Sequence, residues 1–287
     1  MTSPTLRPPD ELARGDFEMV VRRLADDLAY GMDVSRFVGS GLEYAKSRPY
    51  EQGDPIKMID WKITARTNRP YVKEYETLKR TSLVILIDTS ASMSITSTAT
   101  SKHDLAVWIG AAIGLIGLRR MSPVALVGGG ERETRFEPSL LRSDLWQALE
   151  PLRVGVLTEK TRLAERLRDA SLRLDRSSLL VVLSDLHDPD AIDALRNAGH
   201  RHETLAIHLV DPAERGRLRA GFVRAAEAES GATFLAHGRT SWVSEEHVSS
   251  ELVRSGVASL TLHTDRPFVA PLRQFLAFRP ATGGGRG

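Results

Sequence analysis

The sequence predicts an α/β protein built on a doubly wound, mostly parallel sheet. Runs of consecutive apolar, strand-forming residues recur at Leu83–Ile87, Ser178–Ser184 and Thr204–Val210. Such runs are typical of parallel strands covered on both faces, because neither face needs polar side chains. Segments with apolar residues at helical spacing separate the runs, and this alternation is the pattern of β-α-β units.

The individual elements follow from spacing and local signals. Apolar residues recur at helical spacing over Phe17–Tyr30, which predicts an N-terminal helix. Ser101 and Asp104 have the Ser-x-x-acid form of a capping box, so a helix is expected to begin there and run to Leu118. The other expected elements are extended segments at Leu42–Ser47 and Tyr71–Leu78, a hairpin of Val124–Gly128 and Glu133–Phe136, helices at Leu140–Leu149, Leu163–Leu174, Ala191–Ala198 and Phe222–Ser230, and a strand at Thr233–Leu235.

Three regions are expected along the chain. Residues 1–80 form an N-terminal extension with a helix and a β-hairpin, which is too small and too polar to hold a core of its own. Residues 81–280 form the α/β domain, and the glycine-rich residues 281–287 form a flexible tail.

Composition excludes several classes of protein. With 41% hydrophobic and 26% charged residues, the chain has enough apolar surface to fold, which excludes a mainly disordered protein. It has no cysteine, so disulfide frameworks, thiolate metal sites and cysteine nucleophiles are excluded. No signal peptide is recognisable, and no stretch reaches the roughly 18 apolar residues of a membrane helix. We therefore expect a cytoplasmic protein without a membrane span.

Charge is nearly balanced overall but uneven along the chain. The 39 Lys/Arg residues against 37 Asp/Glu residues give a net charge of +2, so no nucleic-acid partner is expected. Between Arg36 and Arg80, however, the sequence has ten basic residues and six acidic ones. This region is either a solvated basic face or a surface for an acidic partner.

The residues after two of the predicted strands suggest a metal site. Asp88, Ser90 and Ser92 offer one carboxylate and two hydroxyls directly after Leu83–Ile87, and Asp185 follows the run that ends at Ser184. Ligands of doubly wound sheets bind at the carboxyl ends of the strands, where the strand order reverses. Hard oxygen donors of this kind suit Mg²⁺, with Mn²⁺ or Ca²⁺ as alternatives. The other interpretation is a hydroxyl-rich turn that caps the next helix.

This pattern resembles the metal-ion-dependent adhesion site of von Willebrand factor A domains. The resemblance implies that residues 81–280 form such a domain. It also implies that a threonine from a later loop completes the site and that Asp185 acts through water. Thr158 and Thr161 are the candidates for the threonine, and Thr161 is preferred because Thr161-Arg162-Leu163 leads directly into a helix. Where the family has glycines before this threonine, the chain has Glu159 and Lys160.

The N-terminal extension carries a second, more specific resemblance. Its motifs are Arg48-x-Tyr50, Gly53-Asp54, Asp60-Trp61 and Ala65-Arg66. At this spacing they are similar to the signature of the family called domain of unknown function 58. Because its members are frequently encoded beside MoxR-type AAA+ ATPases, the resemblance implies such an ATPase, or a client handed to it, as the protein partner. Asp60 and Arg66 could also pair across a turn, with Trp61 packing beneath them. This motif either docks the extension on the α/β core or has a binding role.

The residues favour binding over catalysis. Ser90 and Ser92 lack a nucleophile-elbow motif, and His187, near Asp185, is expected at the rim of the site rather than as a general base. The leading hypothesis is a non-catalytic, Mg²⁺-dependent protein-binding module whose partner supplies an acidic residue to the ion. The alternatives are a metal-dependent phosphohydrolase and, less favoured, a nucleic-acid-binding protein that uses residues 36–80.

Overall fold

The computed structural model describes residues 16–30, 42–77, 81–94, 96–154, 159–174, 178–212, 214, 222–226, 233–237 and 245–278. The strands are β1 (Leu42–Pro49), β2 (Tyr71–Thr77), β3 (Leu83–Ile87), β4 (Val124–Gly128), β5 (Arg135–Ser139), β6 (Leu179–Ser184), β7 (Glu203–Val210), β8 (Phe222–Ala226), β9 (Thr233–His237) and β10 (Ala258–His263). The α-helices are α1 (Phe17–Ala29), α2 (Trp61–Thr67), α3 (Lys102–Arg119), α4 (Arg142–Leu152), α5 (Leu163–Arg173), α6 (Ala191–Gly199), α7 (Glu245–Ser255) and α8 (Val269–Phe278).

A six-stranded sheet forms the centre of the molecule, in the order β10-β7-β6-β3-β4-β5. Its strands are parallel except β5, which runs antiparallel to β4. The chain leaves β3 toward β4 and β5 on one side and then returns to β6 on the other side of β3. The strand order therefore reverses between β3 and β6, which confirms the predicted doubly wound sheet.

Helices cover both faces of this sheet, and alternate residues of β3 point into two separate apolar clusters. Leu83, Ile85 and Ile87 pack with side chains of α1, α3, α4 and α8. Val84 and Leu86 pack with side chains of α5, α6 and α7 on the opposite face. This alternation follows from the two-residue period of a strand, and burial on both faces explains why the run is apolar throughout.

Helix α3 is the most deeply buried helix of the fold. Its residues from Lys102 to Leu118 are all buried except Asp104, so it lies between other elements rather than on the surface. The expected capping box is present: the Ser101 hydroxyl accepts from the Asp104 amide, and the Asp104 carboxylate accepts from the Ser101 amide. The predicted start of this helix is confirmed.

One expected helix is wrong. The segment Phe222–Ser230 was expected to be helical, but Phe222–Ala226 forms strand β8 and pairs antiparallel with β9. A short apolar segment carries too few turns for its period to separate helix from strand, and pairing with β9 decides the outcome. The expected hairpin is confirmed as β4 and β5, and β1 and β2 form the antiparallel pair of the N-terminal extension.

Helix α1 belongs to the apolar core despite its place in the extension. Val21, Leu24 and Leu28 are buried in the cluster that contains α3 and α8, and Arg119 of α3 makes an ion pair with Asp26. The domain boundary at residue 80 stays a prediction. Among the described helices, none combines the length and apolar character needed to cross a membrane.

The packing of α1 gives a stability prediction. Replacing Leu28, which is fully buried, with alanine is expected to lower the free energy of unfolding by about 2–5 kcal/mol, because it leaves a cavity in the core. Urea denaturation of the full chain measures this loss. Met19→Ala on the exposed side of the same helix is the control and should change stability by no more than about 0.5 kcal/mol. Equal effects of the two substitutions would contradict the packing of α1 on the core.

Candidate metal centre

The two strand-terminal aspartates meet at the point where the strand order reverses. Ile87 and Leu183 are partners in the register of β3 and β6, and the Asp88 amide donates to the Leu183 carbonyl at 2.9 Å. The expected adjacency of these strand ends is confirmed. Asp88 and Asp185 are each only 1% exposed, so two carboxylates are buried at one sheet edge.

Neutral hydrogen-bond donors surround the Asp88 carboxylate. Its Oδ1 accepts from the Ser90 amide at 3.0 Å, and its Oδ2 accepts from the Ser184 hydroxyl at 2.6 Å. The hydroxyl oxygens of Ser90 and Ser92 lie 3.1 Å apart, and the Ser92 side chain also hydrogen-bonds Asp185. The structure therefore brings together four of the five residues expected at a metal site.

The fifth expected residue, Thr161, lies on a segment that borders the same loop. Thr161 forms an isolated β-bridge with Gly130, and the Arg162 amide donates to the Gly129 carbonyl at 2.8 Å. A Cβ atom on Gly129 would lie 3.0 Å from the Asp88 Cα, so glycine lets the two segments approach closely without displacing the backbone. The alternative, Thr158, lies outside the described residues, and the choice between the two threonines stays a prediction.

Glu159 has a structural role that the sequence analysis did not identify. Its buried carboxylate accepts from the Thr89 hydroxyl at 3.1 Å and from the amide and side chain of Arg132 at 3.0 and 2.7 Å. Its carbonyl accepts from the Ala91 amide at 2.7 Å. Glu159 thus fixes the Asp88–Ser92 loop.

Lys102 is the main site residue that sequence reasoning missed. Its side chain is fully buried, and its Nζ donates to Asp185 Oδ2 at 2.7 Å and to a carboxylate oxygen of Glu214. No local motif marks this lysine, because its partners are 83 and 112 residues away in sequence.

His187 lies beside the Lys102 ion pairs. Its Nδ1 is 3.5 Å from Asp185 Oδ2 and its Nε2 is 3.9 Å from Glu214 Oε1, while its side chain is partly exposed. Asp185, His187 and Glu214 have the donor types and spacing of a cation site. The ammonium group of Lys102, however, already binds both carboxylates of this group.

The pKa values of the two aspartates are shifted in opposite directions. Burial, followed by the charge of Asp185, raises the pKa of Asp88 from 3.8 to about 7. Burial would also raise the pKa of Asp185, but the charges of Lys102 and His187, together with hydrogen bonds from Lys102 and Ser92, lower that pKa to about 2. Asp185 thus stays ionised beside its lysine, whereas Asp88 makes no ion pair with any residue that the structure describes.

A third aspartate ends the next parallel strand. Asp211 follows β7, is fully buried, and accepts from the Ser97 amide at 3.0 and 3.1 Å and from the Thr264 hydroxyl at 3.0 Å. Its own amide donates to Glu214 Oε2 at 3.2 Å. Asp211 therefore anchors the far end of the loop that carries Ser90 and Ser92, a role that the sequence analysis did not assign.

The signature residues of the extension form polar contacts of their own. Arg48 makes a two-bond ion pair with Asp54 at 2.7 and 2.8 Å, across a turn in which Gly53 has a φ of +114°. The Tyr50 amide donates to the Pro70 carbonyl at 2.9 Å. These contacts hold the turn that follows β1 in place.

The expected pairing of Asp60 with Arg66 is wrong. Asp60 is the N-cap of α2: its carboxylate accepts from the Lys62 and Ile63 amides at 3.1 and 3.2 Å and from the Ser47 hydroxyl at 2.9 Å. The helix start takes the carboxylate because its backbone amides otherwise lack acceptors. Trp61 does not pack beneath such a pair but is 67% exposed, and Ala65 and Arg66 are exposed as well.

Comparisons with known proteins agree with the family resemblance that the motifs of the N-terminal extension indicated. Residues 46–250 match the model of a family described as "Protein of unknown function DUF58". Uncharacterized proteins of Mycobacterium bovis and Mycobacterium tuberculosis are 27% identical over 314 aligned positions, which cover 96% of this chain and 96% of theirs.

Two solved structures show weaker similarity. The RO (RSR) protein of Deinococcus radiodurans is 21% identical over 44% of this chain and 27% of its own, with a TM-score of 0.29. An uncharacterized membrane-spanning protein from Vibrio fischeri is 14% identical over 69% of this chain and 98% of its own, with a TM-score of 0.25.

The shifted pKa of Asp88 predicts a pH dependence of stability. Between pH 3.8 and about 7 the unfolded chain has lost this proton while the folded protein retains it. Folding therefore binds a proton in this window, and the contribution of Asp88 to stability falls as the pH rises through it.

Urea denaturation in chelator tests this dependence at about pH 5 and about pH 7.5. Asp88→Asn keeps the shape of the side chain but cannot ionise, so its stability relative to wild type should increase at the higher pH. The comparison of the two proteins cancels the titration of groups that do not interact with Asp88. A stability difference that is the same at both pH values would contradict the raised pKa.

Proposed function

This chain belongs to the DUF58 family, and we propose that it is a non-catalytic protein-binding module that depends on a divalent cation. The cation, Mg²⁺ in the first place with Mn²⁺ or Ca²⁺ as alternatives, is held by Asp88, Ser90, Ser92 and Thr161. Asp185 acts on it through water. A carboxylate of the partner protein then completes the coordination of the ion.

The observation that carries this proposal is the buried Asp88 carboxylate without a counter-ion. Asp185 has the ammonium group of Lys102, whereas Asp88 makes no ion pair with any residue that the structure describes. Buried carboxylates in proteins are paired with a cation or coordinate a metal, because an isolated buried charge is costly. A divalent cation would supply the positive charge that Asp88 lacks.

The donor set fits a small, hard cation. One carboxylate and the two serine hydroxyls are oxygen ligands of the kind that Mg²⁺ prefers. The hydrogen bond between the Ser90 and Ser92 hydroxyls would have to open so that both oxygens could turn toward the ion. Because most of these ligands are neutral, the ion would keep positive charge for an acidic group from outside, as the resemblance to von Willebrand factor A sites implies.

We further propose a MoxR-type AAA+ ATPase, or a client handed to it, as the partner, in a cytoplasmic setting. The support for this partner is the family resemblance carried by the signature of the N-terminal extension. The metal centre adds a chemical requirement, namely that the partner presents an aspartate or glutamate to the sheet edge.

The position of Lys102 favours this proposal over a metal-dependent phosphohydrolase. Enzymes of that kind often use two cations about 4 Å apart, which hold the attacking and the leaving oxygen. The group that could hold a second cation here consists of Asp185, His187 and Glu214, and the Lys102 ammonium binds both of its carboxylates. The arrangement therefore suits one ion and a ligand from outside.

Substitutions at the metal centre test the proposal. Asp88→Ala should abolish Mg²⁺ binding and Mg²⁺-dependent binding of the ATPase, because it removes the proposed carboxylate ligand, while the protein stays folded. Ser90→Ala should cause a smaller, graded loss, because water can replace one neutral donor. Isothermal titration of Mg²⁺, and of the ATPase with and without chelator, measures both effects.

The matched control is Ser94→Ala, which changes a serine of the same loop outside the proposed ligand set and should bind like the wild type. Equal ATPase affinity of all four proteins, unaffected by chelator, would contradict the proposed function. Mg²⁺ binding that persists in Asp88→Ala would place the ion elsewhere.

The lysine gives an independent prediction. Lys102→Met keeps the length of the side chain but leaves Asp185 and Glu214 buried without their cation, so stability in chelator should fall by about 3–5 kcal/mol. Mn²⁺ should restore part of this loss by entering the vacated position. Calorimetric titration should then give one more bound Mn²⁺ per chain in the variant than in the wild type. Unchanged stability and unchanged stoichiometry would show that Lys102 does not hold this position.

A further inference from the structure

Helix α2 is fixed in place although none of its side chains is buried. Asp60 caps its start, and the Thr64 hydroxyl accepts from the Tyr71 amide of β2 at 3.0 Å. At its end the Thr67 hydroxyl donates to the Ile63 carbonyl at 2.9 Å, and Asn68 adopts the left-handed conformation with a φ of 53°. A seven-residue helix is marginal by itself in water, so these polar contacts hold a helix that contributes nothing to an apolar core.

Two large apolar side chains are exposed on this helix and the turn before it. Trp61 is 67% exposed and Ile56 is 71% exposed. Ala65, one helical turn after Trp61, is exposed as well. Tryptophan is strongly enriched among the residues that dominate protein–protein binding, because its large ring loses much water-exposed area on contact.

The charges around these apolar residues have one sign. Between Pro55 and Lys73 the sequence has five basic residues and one acidic residue, Asp60, which is buried as the helix cap. Four of the basic residues are exposed and make no ion pair within the described part of the chain. They are Lys57, Lys62, Arg66 and Arg69.

We propose that this tryptophan surface docks an acidic protein segment that carries an apolar anchor residue. The surface consists of Ile56, Lys57, Trp61, Lys62, Arg66 and Arg69. The anchor packs against Trp61 and Ile56, and carboxylates beside it complement the four cations. Docking here is separate from the metal centre and needs no divalent cation.

The exposed side chains of this surface favour a protein partner over a nucleic acid. Single-stranded nucleic acids bind on successive aromatic platforms over which the bases stack. Trp61 is the one exposed aromatic residue of this surface, and its exposed apolar neighbour Ile56 is aliphatic. An aliphatic contact suits a leucine- or phenylalanine-bearing segment and supplies no second aromatic platform for a base.

A peptide-display selection tests the docking surface. A random-sequence library is selected on the wild-type chain in chelator, with Trp61→Ala as the counter-selection target. We expect the recovered peptides to be rich in Asp and Glu and to carry at least one large apolar residue. Recovery of basic peptides, or no enrichment over the counter-selected target, would overturn the proposal.

Fluorescence anisotropy of the strongest recovered peptide quantifies the contacts. Trp61→Ala should weaken its binding about 30-fold, the loss typical of a central interface residue. Lys62→Glu should weaken it about tenfold and reduce its salt dependence. Leu172→Ala and Arg201→Glu, which alter exposed residues elsewhere, are the matched controls and should bind like the wild type.

Further binding measurements distinguish this docking surface from the metal centre and from a nucleic-acid site. Binding that requires Mg²⁺, or that is lost in Asp88→Ala, would assign the peptide to the metal centre and overturn a separate docking surface. Tighter binding of oligothymidylate than of the peptide, with the same loss in Trp61→Ala, would assign the surface to nucleic acid. A failure of Mg²⁺ binding alone would overturn the proposed function and leave the docking surface standing.

Discussion

The ammonium group of Lys102 is the interaction on which the carboxyl edge of the sheet depends. It enters from the first turn of α3, where a cation is disfavoured by the helix dipole, and the carboxylates of Asp185 and Glu214 compensate for that position and for its complete burial. One ammonium serves two carboxylates, while Asp88, a strand away, makes no ion pair with any described residue. The described carboxyl groups therefore outnumber the cations that pair with them where the strand order reverses, which is the place where doubly wound sheets bind ligands.

The loop that carries the hydroxyls is held at both ends by buried carboxylates. Glu159 binds Thr89 near its beginning, and Asp211 binds Ser97 near its end. Both acceptors come from parts of the chain that are distant in sequence, so the loop conformation depends on the completed sheet. Fixing a binding loop before its ligand arrives lowers the entropy that the ligand must offset, which would favour the proposed binding of an ion by a mostly neutral set of donors.

The sequence predicted an element correctly where the burial of that element alone determines its pattern of apolar residues. Strand β3 is covered on both faces, so its apolar run and the aspartate after it could be recognised without any partner. Strand β8 could not be recognised in this way, because five residues do not define a period and because its pairing with β9 decides its conformation. Lys102 was missed for a related reason, since its partners lie 83 and 112 residues away and local spacing carries no trace of them. Asp211, by contrast, directly follows the predicted run Thr204–Val210, which is the same local signal that singled out Asp88 and Asp185.

The N-terminal extension uses its signature residues in two ways, and the difference bears on what the extension is for. Asp54 pairs with Arg48 and accepts from a backbone amide, which fixes the turn. Asp60 accepts from a backbone amide of α2, which fixes the start of that helix. Trp61 and Arg66, on the helix so fixed, make no comparable contact with the described part of the chain and are exposed. A motif that served only to stabilise the fold would bury its largest apolar side chain. Here the polar half of the motif holds the exposed half in one orientation, which is the physical requirement of a surface that recognises another molecule.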